Sequence, residues 1–171
     1  MKNSNIWKGV AAGAIGGLAA SWVMEEFQYA WIKVANARKQ QNGTSHSQTS
    51  DDEPSTVKAA ELVSKNVFGH ELSESEKKVG ANAVHYATGG ASGAVYGAAA
   101  EMIPGVTSGG GLPFGTAIWL AVDEGAVPLL GLSKGPTKYP LSTHVYALAS
   151  HFVYGVTTEV VRRTLRNNIL K

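Results

Sequence analysis

The chain has 171 residues, a formal net charge of +2 and no cysteine, which suits one domain and excludes disulfides, thiol nucleophiles and thiolate metal sites. The bases form no stripe and interleave with no exposed aromatics, so nucleic acid is not an expected partner. Mean hydropathy is near zero, but a polar insert from Lys33 to Lys78, with seven bases and seven acids, masks a strongly apolar remainder.

Four stretches, 9–24, 79–100, 102–122 and 139–158, contain no Asp, Glu, Lys or Arg, and a bilayer needs about 20 helical residues. They predict an all-α polytopic membrane protein with four transmembrane helices, treated as one domain over 1–171. The first span is placed at about 7–32. Lys2 and Lys8 ahead of an apolar run, with Ala19-Ala20-Ser21, resemble a signal peptide, but the run continues past Glu25 and Glu26 through Phe27, Tyr29, Trp31 and Ile32 and reads as a span. Residues Ala37 to Glu53 are polar and cannot bury a core, so a mobile linker is expected. The Asn42-Gly43-Thr44 sequon carries meaning only in a secretory host.

Pro54 then opens a segment in which Val57, Ala60, Val63 and Val67 recur near helical spacing up to Gly69. This predicts a short amphipathic helix at the membrane surface, within the loop 33–76. Ser73 and Glu76 have the capping-box spacing and open the second span, about 77–102. Ser108-Gly109-Gly110-Gly111 lacks the Gly-Lys of a phosphate loop and is read as a flexible turn. The third span follows at about 112–131. Pro128, Pro136 and Pro140 mark a broken helix end, the kind of unwound backbone that protein or water must cover. The fourth span is placed at about 140–163.

An internal repeat supports this count. Ser92 to Glu101 and Ser150 to Glu159 share SxxVYGxxxE, and each follows a histidine, His85 or His144. Trp22 before Glu25-Glu26 echoes Trp119 before Asp123-Glu124. The chain therefore reads as two helix pairs in parallel repeat. Gly9, Gly13 and Gly17 in the first span and Gly89, Gly93 and Gly97 in the second form ridges that let helices approach closely, so these two spans are expected to pack together, with homo-oligomerisation as the alternative use.

Outside the insert every acid lies within an apolar segment: Glu25, Glu26, Glu101, Asp123, Glu124 and Glu159. Carboxylates in hydrocarbon are costly and mark functional candidates. The up-down order of four helices places Glu25, Glu26, His85, Asp123, Glu124, His144 and His151 at the depth of the insert-bearing face, and Glu101 and Glu159 at the opposite end, near Arg162 and Arg163. His144 and His151, seven residues apart, share a helix face. Three roles fit these groups. They can pair across helices as structural glue. They can relay protons, because burial disfavours the charged form of acid and imidazole alike and draws their titration together. Oxygen and imidazole ligands also suit Zn, Mn, Fe or Ni, although no complete metal site is defined. The Glu-x-x-His spacing of di-iron bundles is absent, and no nucleophile, cofactor or phosphate signature appears; Ser92 lies mid-helix rather than on a nucleophile elbow. A noncatalytic protein without cofactor is expected.

In the C-terminal half, Glu101-Met-Ile-Pro104, Pro128-Leu-Leu-Gly-Leu-Ser133, Pro136, Pro140, His144, Tyr154-Gly155 and Glu159-Val-Val-Arg-Arg-Thr-Leu-Arg-Asn-Asn-Ile169 resemble the YagU-like bacterial inner-membrane proteins, well over about 80–170 and loosely in the first span and the Pro54 region. The resemblance implies a multi-pass cytoplasmic-membrane protein with no established catalysis and a link to acid tolerance. With the six bases and no acids on the side of the termini, it points to cytoplasmic termini. The resulting expectation is a proton-responsive protein supporting acid tolerance or envelope pH homeostasis. Its alternatives are an accessory subunit of a larger membrane complex and a membrane metal-binding protein.

Overall fold

Every regular element among the described residues is helical, and the segments 2–41 and 74–102 are rich in alanine, the strongest helix former. The computed structural model describes residues 2–41 and 53–170. Helix α1 is Lys2–Gln41, α2 is Ser55–Val63 with a π-helical turn at Ser64–Phe68, and α3 is Glu74–Met102. A third rod comprises α4, Leu112–Ile118, a π-helical segment, Trp119–Ala126, and α5, Val127–Leu129. A 3₁₀ turn at Pro136–Lys138 leads to α6, Leu141–Asn168.

These elements correct several expectations. Helix α1 runs on past residue 32 to Gln41, because Ala35, Ala37, Arg38, Lys39 and Gln40 are good helix formers; only the rest of the expected linker, 42–52, lies outside the described residues. The third rod is not a uniform α-helix. In a regular helix the Pro128 ring would collide with the carbonyl four residues back, that of Glu124, and a widened π register just before the proline relieves this, with the Val127 N–H bonded to the Val122 carbonyl. Among the described residues one helix, α1 over Asn5–Arg38, meets the length and hydropathy of a membrane span, at a mean hydropathy of 1.2. Helices α3 and α6 contain too much Gly, Ser, Thr and His to meet the same measure, and the third rod is broken into segments of 7, 8 and 3 residues.

Helix α1 is the shared element, packing antiparallel to α3 and also against α6, while α4 packs on α6. The first interface is made of backbone. A Cβ on Gly9, Gly13 or Gly17 would collide with the carbonyl of Gly97, Gly93 or Gly89 respectively, so side-chain-free ridges set the distance between α1 and α3. The second pair repeats the device: Gly115 meets the His151 carbonyl and Gly111 that of Gly155. Gly111 combines this contact with φ of 94°, which only glycine adopts readily. The stretch read as a flexible turn thus ends in a buried, tightly fitted residue.

Little large apolar side chain is buried. Ala12, Ala20, Met24, Tyr96 and Tyr154 are buried beside Ser21, Ser150, His151, Thr158, Glu159 and Arg162. Phe114 stacks on Tyr96 at 4.2 Å and tilts against Tyr154 at 5.7 Å. At the end holding both termini, Glu159 accepts from Arg162 Nε at 2.8 Å and Nη2 at 2.9 Å, from Tyr96 Oη at 3.0 Å, and pairs with Arg163 at 3.2 Å. Arg166 grips Glu101 with Nε at 2.5 Å and Nη2 at 3.0 Å. A charge buried this deeply is tolerable only when fully paired, and Glu159 is.

Helix α2 lies across α3, where Ala60 faces Gly80, and Gly69 at φ 64° closes its π-helical turn. Lys77 binds Glu53, Glu61 and Glu74 at 3.1, 3.0 and 3.1 Å, tying the approach to α2, α2 itself and α3 together. The capping box opens α3: the Glu76 carboxylate accepts from the Ser73 N–H at 2.8 Å and the Ser73 hydroxyl at 2.6 Å.

Replacing Gly93 by Leu should force α1 from α3 and cost at least the roughly 1–3 kcal/mol of an overpacked core, whereas Leu at the exposed Ala11 should be tolerated; helix loss on heating, followed by circular dichroism in detergent, measures both. The bonds from Ser73, aided by His70, lower the Glu76 pKa from 4.5 to about 2. A depressed acid stabilises the folded state above its unfolded pKa and loses that contribution as pH falls through the folded value. The melting difference between wild type and Glu76→Ala should therefore be full above about pH 5 and shrink steadily between pH 4.5 and about 2; a pH-independent difference would contradict the cap.

Candidate functional site

At the other end of the bundle the glycine ridges stop and the helices part around a cavity of about 530 Å³, walled by α1, α2, α3, the third rod and α6. Its size falls in the range of small-molecule pockets. Its polar wall carries Glu25 from α1, His85 from α3, Asp123 from the π-helical segment and His151 from α6. A smaller recess of about 210 Å³ adjoins it, lined by Glu124, His144, Lys134 and Tyr139, with Asp123 and Ser55 shared by both. The proline-marked helix end shapes this recess through Pro136.

The π register matters here because it sets which acid faces which imidazole. Glu124 and His144 are 2.6 Å apart through Nδ1, and Nε2 of the same ring lies 3.1 Å from the Pro136 carbonyl. A carbonyl only accepts, so Nε2 carries a proton, and the Glu124–His144 contact holds one further proton between carboxylate and ring. Asp123 Oδ2 lies 3.7 Å from His151 Nδ1. That nitrogen donates to the Ala147 carbonyl at 2.9 Å, which leaves Nε2 as the acceptor of the neutral ring. His85 Nε2 donates to the Ser21 carbonyl at 3.3 Å, and Glu25 accepts from Tyr86 Oη at 2.9 Å.

The seven residues assigned by depth to one leaflet are thus not a single cluster. Asp123 joins His151, Glu124 joins His144, Glu25 and His85 occupy the same cavity through other partners, and Glu26 is exposed outside it. Glu101 and Glu159 sit at the far end, each held by arginine. Among the described residues no three His, Asp or Glu side chains converge as metal ligands would. Three participants escaped sequence reasoning. Tyr86 holds Glu25, Tyr96 holds Glu159, and Tyr154 donates to the Gly89 carbonyl at 2.6 Å. Tyr96 and Tyr154 are the matching tyrosines of the two SxxVYGxxxE copies, the signal through which they were within reach.

One family model matches residues 44–160, that of DUF1440, described as a protein of unknown function. The chain belongs to this DUF1440 family. The match begins after α1 and takes in α2, α3, the third rod and most of α6, and so the smaller recess and every wall of the larger cavity except that of α1. No curated protein and no solved structure matches the chain.

Converting Glu124 to Gln leaves His144 facing a neutral amide and a carbonyl, which removes the charged partner of a part-buried pair. The expected cost is about 1–3 kcal/mol, together with loss of the shared proton from His144. Nitrogen NMR of the labelled imidazole checks this: one nitrogen should turn from protonated to acceptor-like at neutral pH, and an unchanged spectrum would mean Glu124 does not set the ring's state.

Proposed function

We propose that the chain is a multi-pass membrane protein, with α1, α3, the third rod and α6 spanning the bilayer, and that its acid–histidine recesses take up protons in support of acid tolerance or envelope pH homeostasis. The observation that carries the proposal is the inversion of polarity across the bundle wall. Inside are glycines and Ser21, Ser150, His151, Thr158, Glu159 and Arg162; outside, fully or half exposed, are Trp7, Ile15, Trp22, Val95, Leu120, Leu141, Val145 and Val160. Water would reverse that arrangement, whereas lipid favours it, since association there rests on close packing and internal hydrogen bonds. Mean hydropathy underrates α3 and α6 because their inward faces carry Gly, Ser, Thr, His and Glu. The resemblance of the C-terminal half to YagU-like inner-membrane proteins points the same way.

With four spans, Gly9, Glu101, the turn at 103–111 and Arg166 share one side with both termini, consistent with Gly9 facing Gly97 and Arg166 holding Glu101. The compact basic C-terminus of that side, together with the family resemblance, favours the cytoplasm for it, and the two recesses then open toward the opposite, outer face. Asp123 borders both recesses, so it is the residue through which protonation of the Glu124–His144 contact is felt at His151.

Proteoliposomes test this reading. Because the chain has no cysteine, single cysteines at Ser108 and at Thr137 report sidedness without background, and four spans predict opposite faces. An imposed pH gradient should decay faster than in protein-free vesicles, and Asp123→Asn with Glu124→Gln should bring the rate back to the vesicle baseline. Labelling of both cysteines from one side, or wild-type decay at the baseline rate, would reject the proposal.

A further inference from the structure

The larger cavity has a charge pattern that proton uptake does not require. Its two carboxylates, Glu25 and Asp123, come from different helices, and among the described residues that line it there is no Lys or Arg. Lys134 lies in the adjoining recess, beside Glu124 and His144. The remaining wall of the cavity is mostly apolar, with Met24, Ile118, Val122, Leu130 and Tyr154 among its residues. Hydroxyls of Ser55, Thr56, Thr88 and Ser92 belong to residues of the same wall, whereas that of Ser21 is packed against Gly89 in the α1–α3 seam.

We infer that this cavity binds a small organic cation, an ammonium group carried on a short apolar body. The ammonium has three donors and no acceptor, which matches a wall offering carboxylate and hydroxyl oxygens. The apolar body matches the aliphatic and tyrosine surface, and about 530 Å³ accommodates a molecule of that kind. The inference shares its site with the proton-responsive reading but needs neither proton movement nor a fixed number of spans.

Binding is coupled to pH through the groups that face the ligand from each wall. Glu25 on α1 and Asp123 on the third rod attract it; His85 on α3 and His151 on α6 repel it once protonated; α2 presents only Ser55, Thr56 and Ala59. From the adjoining recess Glu124, His144 and Lys134 act at longer range. Neutral imidazoles leave the cavity with two negative charges, and protonation of both brings its formal charge to zero. Affinity should therefore be highest while both rings are neutral and decline as they take up protons.

Isothermal titration of the detergent-solubilised full chain with n-butylammonium at pH 8 and pH 5, beside the neutral isostere n-butanol, tests the inference. Saturable binding of the amine at pH 8, at least tenfold weaker at pH 5 and at least tenfold weaker for the alcohol, is expected. Asp123→Asn should lose at least tenfold with the helix content unchanged. Ala81→Phe, which fills the cavity from α3 and leaves both carboxylates in place, should abolish binding, so the inference does not hang on one variant. A short-chain phosphatidylethanolamine that displaces butylammonium identifies a lipid headgroup as the source of the ammonium; binding without such displacement identifies a soluble amine. Equal affinity for butanol, no heat with either compound, or full binding by a well-folded Ala81→Phe would overturn it. A protein that binds the amine yet leaves the proton permeability of vesicles unchanged would sink the proton reading alone.

Discussion

Contact between the backbones of α1 and α3 is the constraint on which the other features rest. With Gly9, Gly13 and Gly17 seated on Gly97, Gly93 and Gly89, no side chains separate the helices, so the interior along this seam has no room for the leucine-rich core of a water-soluble bundle. What fills the interior instead is set by short reach: alanine, serine and threonine beside the seam, and tyrosines where α6 and α4 close over it. Thr158 and Ser150 return their hydroxyls to carbonyls one turn back on α6, at 2.8 and 2.9 Å, so these polar side chains are satisfied without a partner helix. The close seam and the polar interior are one solution rather than two.

The two ends of the bundle use ionisable groups in opposite ways. At the end with the termini Glu159 and Glu101 are each matched by a guanidinium in fork geometry, and Glu159 has Tyr96 in addition, which fixes the charges. At the other end acids meet imidazoles, whose charge is variable, and they do so around cavities. Fixed pairs hold the fold and variable pairs surround the space. The boundary between the two regimes falls near Tyr154, whose hydroxyl bonds the Gly89 carbonyl where the last glycine contact of the α1–α3 seam is made.

Much of this could be read from the chain because it is local or periodic. Ser73 and Glu76 are three residues apart, and the cap they form is present; the glycines recur every four residues, and the ridges they form meet. The helix bounds of α3 and the extent of the third rod followed from where charges and prolines fall. Depth along each helix also brought Glu124 and His144 to the same end, but depth has no azimuth. It could not tell that Glu26 faces away, or that His85 would take a backbone carbonyl instead of a carboxylate. The tyrosine bonds to Glu25, Glu159 and Gly89 join residues more than sixty positions apart, and no spacing rule reports such pairs. The π register at Trp119–Ala126 was hidden for a different reason: Pro128 announces a disturbance of the helix without saying on which side of the ring it will be absorbed.

The glycine seam also gives the protein an uneven tolerance to change. In an ordinary core a substitution can err toward too large or too small, and neighbours compensate in either direction. A glycine touching a carbonyl has no smaller alternative, so every substitution there is a wedge of one sign, and a wedge at one level cannot be offset by trimming its opposite number, which is also glycine. Side chains on the outer wall have no facing neighbour among the described helices and are limited by little beyond polarity. Drift in such a molecule is therefore steered by a size ceiling within and a polarity rule without, and two chains of this design can share a fold while having few large side chains in common.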